Sequence, residues 1–192
     1  MVMPVQMTRA ILFDLVGVLL FPREDYAPDE TVDAVDSLIG RATNDTRLRA
    51  EILQRFRLNS MEFDHLIAQV ADKYTPFPTI WELLPGLRQR YRLGVINNGT
   101  YLTFPAFDAR YGLGQNFDLF LSSGWEGVCK PDARIYRLAC ERLGVLPNQC
   151  LFMDDSTENL STANRIGMQT IRWPDQQVGL HRFKKWMESE TG

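Results

Sequence analysis

Cysteine, histidine and long apolar runs are scarce in this chain. Its 192 residues include three cysteines and two histidines. Cys129, Cys140 and Cys150 lack the paired spacing of a disulfide framework, which points to a reducing compartment. With no CxxC pair and no Cys/His cluster, nothing points to zinc. The apolar stretch from Ala10 to Phe21 is interrupted by Asp14 and is far too short to span a bilayer. The opening residues MVMPVQMTR carry no apolar leader stretch. A cytoplasmic protein with no membrane partner is expected. Basic excess is missing too: 21 Lys and Arg stand against 24 Asp and Glu, a net charge of -3. That excludes the electrostatic footprint of a nucleic-acid binder. Arg47, Arg49, Arg55 and Arg57 are interleaved with Glu51 and apolar residues, as on a solvated helix face. Low-complexity segments and internal repeats are absent.

What is present is a composition fit for a folded core, 45% hydrophobic and 23% charged, in one domain with a modest insertion. Ala10 to Phe13 reads as a strand buried on both faces, as in a parallel sheet. Similar runs follow at Leu93 to Ile96, Leu119 to Leu121, Cys150 to Met153 and Met168 to Ile171. Helical patterns separate most of them, which predicts an α/β fold with right-handed crossovers. Pro131 suits the first turn of a helix that buries Ile135, Leu138, Ala139 and Leu143 and stops at Gly144. Ser156 suits the cap of another that stops at Gly167, and Val178 to Trp186 reads as a closing amphipathic helix. The stretch from about Phe21 to Pro85 shows no convincing strand. Helices are expected there around residues 32–39, 48–56, 63–71 and 80–84, with capping boxes at Asn59/Glu62 and Thr79/Glu82.

Open parallel sheets bind ligands beyond the carboxyl ends of their strands. The first strand ends at Asp14, the second at Asn97-Asn98-Gly99 and the fourth at Asp154-Asp155, while Lys130-Pro131-Asp132 follows the third. Singly, each has an ordinary explanation as a turn former, a surface lysine or a charge at a helix start. Together they place three carboxylates, an ammonium and two amides on one edge. Such carboxylates repel one another unless a cation shares the site, and an oxygen-only ligand set points to magnesium.

These segments resemble the haloacid dehalogenase superfamily. Ile11-Leu12-Phe13-Asp14-Leu15-Val16-Gly17-Val18 resembles its first motif, Asn97-Asn98-Gly99 stands where the second belongs, and Lys130 to Tyr136 is similar to the third. Leu151 to Asn159, followed by Ala163 and Gly167-Met168, is similar to the fourth. The resemblance implies a Rossmann-like five-stranded sheet of order 3-2-1-4-5, with residues 1–20 and 86–192 as the core and 21–85 as a small helical cap that closes over the site.

For function it implies a phosphatase of a small phosphorylated metabolite in which Asp14 attacks phosphorus and forms an aspartyl-phosphate. Magnesium would be held by Asp14, the Val16 backbone carbonyl and Asp155, with Asp154 directly or through water. Lys130 would neutralise charge, and Asn97 and backbone amides at Asn98 would hold the phosphoryl oxygens. Asn159 would orient its loop. Two departures stand out. Val16 replaces an aspartate that serves many relatives as general acid and base, a contribution typically of about 10²–10⁴ in rate. Asn97 replaces a serine or threonine, and its amide can donate in the same place.

Two rival readings follow. A 2-haloacid dehalogenase also uses the first aspartate but needs no metal. A non-catalytic phospholigand binder would account for the missing acid–base group. Arg23, Tyr101, Phe104 and Phe107 are possible pocket residues, with exposure for the arginine and core packing for the aromatics as the ordinary alternatives. Sugar phosphates, nucleotides and other small phosphorylated metabolites stay equally open as substrates, and the oligomeric state is open.

Overall fold

The computed structural model describes residues 7–191. Residues 1–6 and 192 of the expected core division lie outside them. The chain begins with β1 (Ala10–Phe13), and β2 (Leu20–Pro22) follows the loop that carries Asp14. Helices α1 (Glu30–Ile39), α2 (Asp45–Phe56) and α3 (Ser60–Asp72) come next. Strand β3 (Tyr74–Pro76) and α4 (Pro78–Arg88) lead into β4 (Arg92–Asn97), then α5 (Phe104–Tyr111), α6 (Leu113–Asn116) and β5 (Leu119–Ser122). The remainder is α7 (Ser123–Glu126), α8 (Ala133–Leu143), β6 (Cys150–Asp154), α9 (Thr157–Arg165), β7 (Gln169–Arg172) and α10 (Gln176–Thr191).

The main sheet runs β5-β4-β1-β6-β7, with every pairing parallel. Numbering its strands in chain order gives 3-2-1-4-5, as expected. All four residues of β1 are fully buried. The two-residue period sends Ile11 and Phe13 to one face and Ala10 and Leu12 to the other. On the first face they meet Ile80, Leu84 and Leu87 of α4 and Phe183 of α10. On the second they meet Ile135 and Ala139 of α8 and Ala163 of α9. Full burial of a Leu, Ile or Phe side chain contributes roughly 1.5–3 kcal/mol, so this strand is anchored from both sides.

Helix ends follow local chemistry. Asn59 and Glu62 form the expected reciprocal box, with bonds of 3.0 and 2.7 Å. Ser156 caps α9, and Gly144 ends α8 in the left-handed region at φ 64°. Other expectations are corrected. The Thr79/Glu82 box does not form, because Pro78 takes the first turn of α4 and Phe77 is its cap. Pro131 lies outside α8, whose start is set by the Asp132 carboxylate accepting from the Arg134 N–H.

Segment 21–85 is also not free of strands. Leu20–Pro22 pairs antiparallel with Tyr74–Pro76. Each strand has three residues and one proline, too little to show an alternating pattern. Between them α1, α2 and α3 close a separate cluster built on Val35, Ile52, Phe63 and Val70. Helix α4, expected as the last helix of the insertion, packs on the sheet. No helix among the described residues is long and apolar enough to cross a membrane.

Candidate active site

Register brings the site together. Phe13 pairs with Val95 on one side and Met153 on the other. One residue further on, Asp14 is level with Ile96 and Asp154, and its N–H donates to the Met153 carbonyl at 2.8 Å. The carboxylates of Asp14, Asp154 and Asp155 thereby converge, with one oxygen of each within 4.8 Å of the others.

Lys130 is buried between two of them. Its Nζ lies 2.7 Å from Asp14 Oδ1 and 2.8 Å from Asp154 Oδ2. Burial pulls the lysine's pKa down, but the two carboxylates outweigh it and raise the pKa above its ordinary value. Asp14 is pushed up to about 7 by burial, with the Lys130 charge opposing and the Asp154 charge adding to the rise. Asp155, at the exposed edge, is raised by burial and by the neighbouring Asp154. With all three carboxylates ionised against one ammonium, the site would carry an excess of two negative charges.

The oxygens differ in availability. Asp14 Oδ1 accepts from the Leu15 N–H at 2.7 Å as well as from Lys130, while its Oδ2 receives no hydrogen bond from the described residues. Asp154 is fully engaged: Oδ2 takes Lys130, Oδ1 takes the Ser156 N–H at 2.8 Å, and the Asn159 amide bridges both at 3.0 and 3.1 Å. Asn159 thus orients Asp154. The Val16 carbonyl accepts no backbone bond among the described residues, and Val16 borders the cavity.

That cavity, of about 230 Å³, opens above Asp14. Asn97 lines it, and the Asn97 side-chain amide is unengaged among the described residues. The Asn98 side chain has work beyond the role expected of its backbone amide. Its Nδ2 donates to the Lys130 carbonyl at 2.8 Å and its Oδ1 accepts the Lys130 N–H at 2.7 Å. This two-way clamp fixes the main chain of the lysine. The insertion and α5 also line the cavity, through Asp36, Ile39, Val70 and Phe107, with Tyr74 of β3.

Of the other pocket candidates, Arg23 stays outside, bonded through two nitrogens to Asp25 at 2.9 and 2.7 Å. Tyr101 and Phe104 stack on each other at 4.7 Å, also outside the lining. Sequence reasoning missed Asp36 and Tyr74, whose hydroxyl donates to Asp36 Oδ2 at 2.7 Å. Their separation of 38 residues leaves no local signal.

The chain matches the haloacid dehalogenase-like hydrolase model over residues 8–167. It is 33% identical over 97 residues to (S)-2-haloacid dehalogenase 4A of Burkholderia cepacia, covering 50% of this chain and 42% of that one. It is 27% identical over 193 residues to the phosphoglycolate phosphatase of Xylella fastidiosa, covering 85% and 79%. It spans less than half the length of several curated relatives it matches, the Burkholderia protein among them. A HAD family enzyme of Bacteroides thetaiotaomicron, solved with magnesium and inorganic phosphate, superposes with a TM-score of 0.69 at 16% identity over 90% of this chain and 98% of that one. The family match over residues 8–167, together with the strand order that carries Asp14, Asn97, Lys130 and Asp154 to one edge, makes this chain a member of the haloacid dehalogenase-like hydrolases.

Proposed function

We propose that the chain is a cytoplasmic, magnesium-dependent phosphatase of a small phosphorylated metabolite, acting through an aspartyl-phosphate on Asp14. One observation carries the reading: a buried aspartate with one unengaged oxygen lies beside a buried lysine and two further carboxylates, beneath a small cavity. The three free cysteines suit a reducing compartment.

The donor set fits magnesium. The carboxylate donors are oxygens, one each from Asp14, Asp154 and Asp155 within 4.8 Å of one another, close to the roughly 4 Å between opposite oxygens around this ion. The two excess negative charges of the ionised site call for a divalent cation. Asp14, the Val16 carbonyl and Asp155 would hold it. Asp154, its oxygens engaged, would act through water. Bound there, the ion would polarise the phosphoryl group and offset repulsion between two anions.

Asp14 Oδ2 attacks phosphorus as the ester P–O bond breaks and the leaving oxygen departs. Water then adds to the phosphoryl group, releasing phosphate and restoring the carboxylate. Lys130 offsets negative charge on Asp14 and on the phosphoryl oxygens, held in place by the Asn98 clamp. The free amide of Asn97 donates to a phosphoryl oxygen. Val16 supplies no proton, so good leaving groups react fastest.

Similarity to the Burkholderia enzyme favours 2-haloacid dehalogenation as the second reading. Against it stands the lining of the cavity, whose one cation among the described residues is Lys130, already held by two carboxylates. A haloacid carboxylate would find no other positive partner.

The test is phosphate release from an aryl phosphate with magnesium, with EDTA and with Asp14→Asn. Release that needs both the metal and Asp14 is expected. No release in any arm, with chloride freed from a 2-chloroacid instead, would replace the phosphatase by the dehalogenase.

A further inference from the structure

We propose that Asp36 selects the substrate, favouring a short phosphate monoester whose far end carries a hydrogen-bond donor, a hydroxyl or an ammonium, and rejecting one that ends in a carboxylate. This inference rests on the phosphatase reading for the near end of the cavity.

The cavity has two chemically distinct ends. At the floor are Asp14, Lys130 and the unengaged amide of Asn97. At the far wall is Asp36 of α1. Ile39, Val70 and Phe107 also line the cavity, an apolar surface that suits methylene groups. The volume of about 230 Å³ lies below the usual range of roughly 300–1,000 Å³ for ligand sites. It favours a phosphoryl group on a short carbon chain over a nucleotide.

The Asp36 carboxylate is pre-oriented. Oδ2 accepts from Lys73 Nζ at 2.7 Å and from the Tyr74 hydroxyl at 2.7 Å. Oδ1 receives no hydrogen bond from the described residues, so a ligand donor can complete the set. Lys73 does not neutralise this end, because it also binds Asp33 at 2.8 Å. One ammonium serves two carboxylates, and the far wall keeps a negative charge. A ligand carboxylate there would meet like charge with no free cation, whereas a hydroxyl or ammonium would find an acceptor held in place.

The experiment is calorimetric binding, with magnesium, of four phosphates of similar size to the Asp14→Asn protein, which holds ligands without turning them over. The ligands are glycerol 3-phosphate, phosphoethanolamine, phosphoglycolate and ethyl phosphate. The hydroxyl and ammonium esters should bind at least about tenfold tighter than phosphoglycolate, and tighter than ethyl phosphate, since like-charge contacts are strongly disfavoured. Adding Asp36→Asn should bring all four within about threefold of one another. Adding Asp33→Asn, which leaves Lys73 to Asp36 alone, should shrink the penalty on phosphoglycolate while both donor esters keep their lead over ethyl phosphate. Phosphoglycolate binding as tightly as the donor esters, or a ranking that survives Asp36→Asn, overturns the inference. Aryl phosphate turnover by the wild type is scored separately. Its absence with the ranking intact removes the reaction and leaves the selection by Asp36; turnover with a flat ranking removes the selection alone.

Discussion

Asp14 ties stability to pH in a way that magnesium should reverse. Without metal, burial raises Asp14 from its ordinary 3.8 to about 7. The folded state therefore keeps this proton at pH values where the unfolded chain has lost it. Stability from this group is fully present below about 3.8 and is lost as pH rises through about 7. A shift of about three units at 1.36 kcal/mol each makes the loss at most about 4 kcal/mol. The assay is urea denaturation of the wild type and Asp14→Asn in EDTA across that window, repeated with magnesium. The isosteric amide cannot ionise, so the stability difference between the two proteins should widen steadily in its favour as pH rises. Magnesium at about a hundred times its dissociation constant should return about 2.7 kcal/mol to the wild type. It should do so mainly at high pH, where Asp14 is ionised. Parallel pH slopes for the two proteins in EDTA would refute the reasoning, because the carboxylate would then be no more costly to ionise in the fold than in the open chain.

Three further outcomes are expected. Val16→Asp should raise kcat on aryl phosphates, within the 10²–10⁴ range of general acid–base help at most; unchanged turnover would mean another step limits the rate. Asp45→Ala removes an acceptor that holds the Thr100 hydroxyl at 2.6 Å and the Tyr101 N–H at 2.9 Å. With roughly 1.5–3 kcal/mol per bond to a charged group, hydrogen exchange at Tyr101 should accelerate and Tm should fall. Gly179→Ala puts a methyl group into the ring of Trp173, and overpacking of this kind costs about 1–3 kcal/mol, measurable as a lower urea midpoint.

The sheet was readable because four of its five strands are built on apolar runs, β7 with Gln169, Thr170 and Arg172 being the exception, and because both faces of β1 are buried. The carboxylate edge was readable because strand ends in such a sheet share one side. Other features depend on partners distant in sequence. Asp36 sits on an amphipathic helix beside buried Val35 and gains meaning only from Lys73 and Tyr74, 37 and 38 residues on. Asn98 stands in a motif associated with phosphate, yet spends its side chain on Lys130, 32 residues away. The strand pair at Leu20–Pro22 and Tyr74–Pro76 is too short to show periodicity, and its prolines argue against strands at all. The Thr79/Glu82 box failed because Pro78 already occupies the first turn with a fixed φ.

That strand pair has a consequence of its own. The chain leaves for α1 and returns from α3 on adjacent strands, which lie only about 5 Å apart. To the sheet, the intervening half-hundred residues resemble a long hairpin loop with its ends already closed. Lengthening or reshaping that loop costs little in closure entropy and does not shift the register that lines up Asp14 with Asp154. Substitutions that redraw the wall around Asp36 can therefore be made without disturbing the carboxylates held by the sheet.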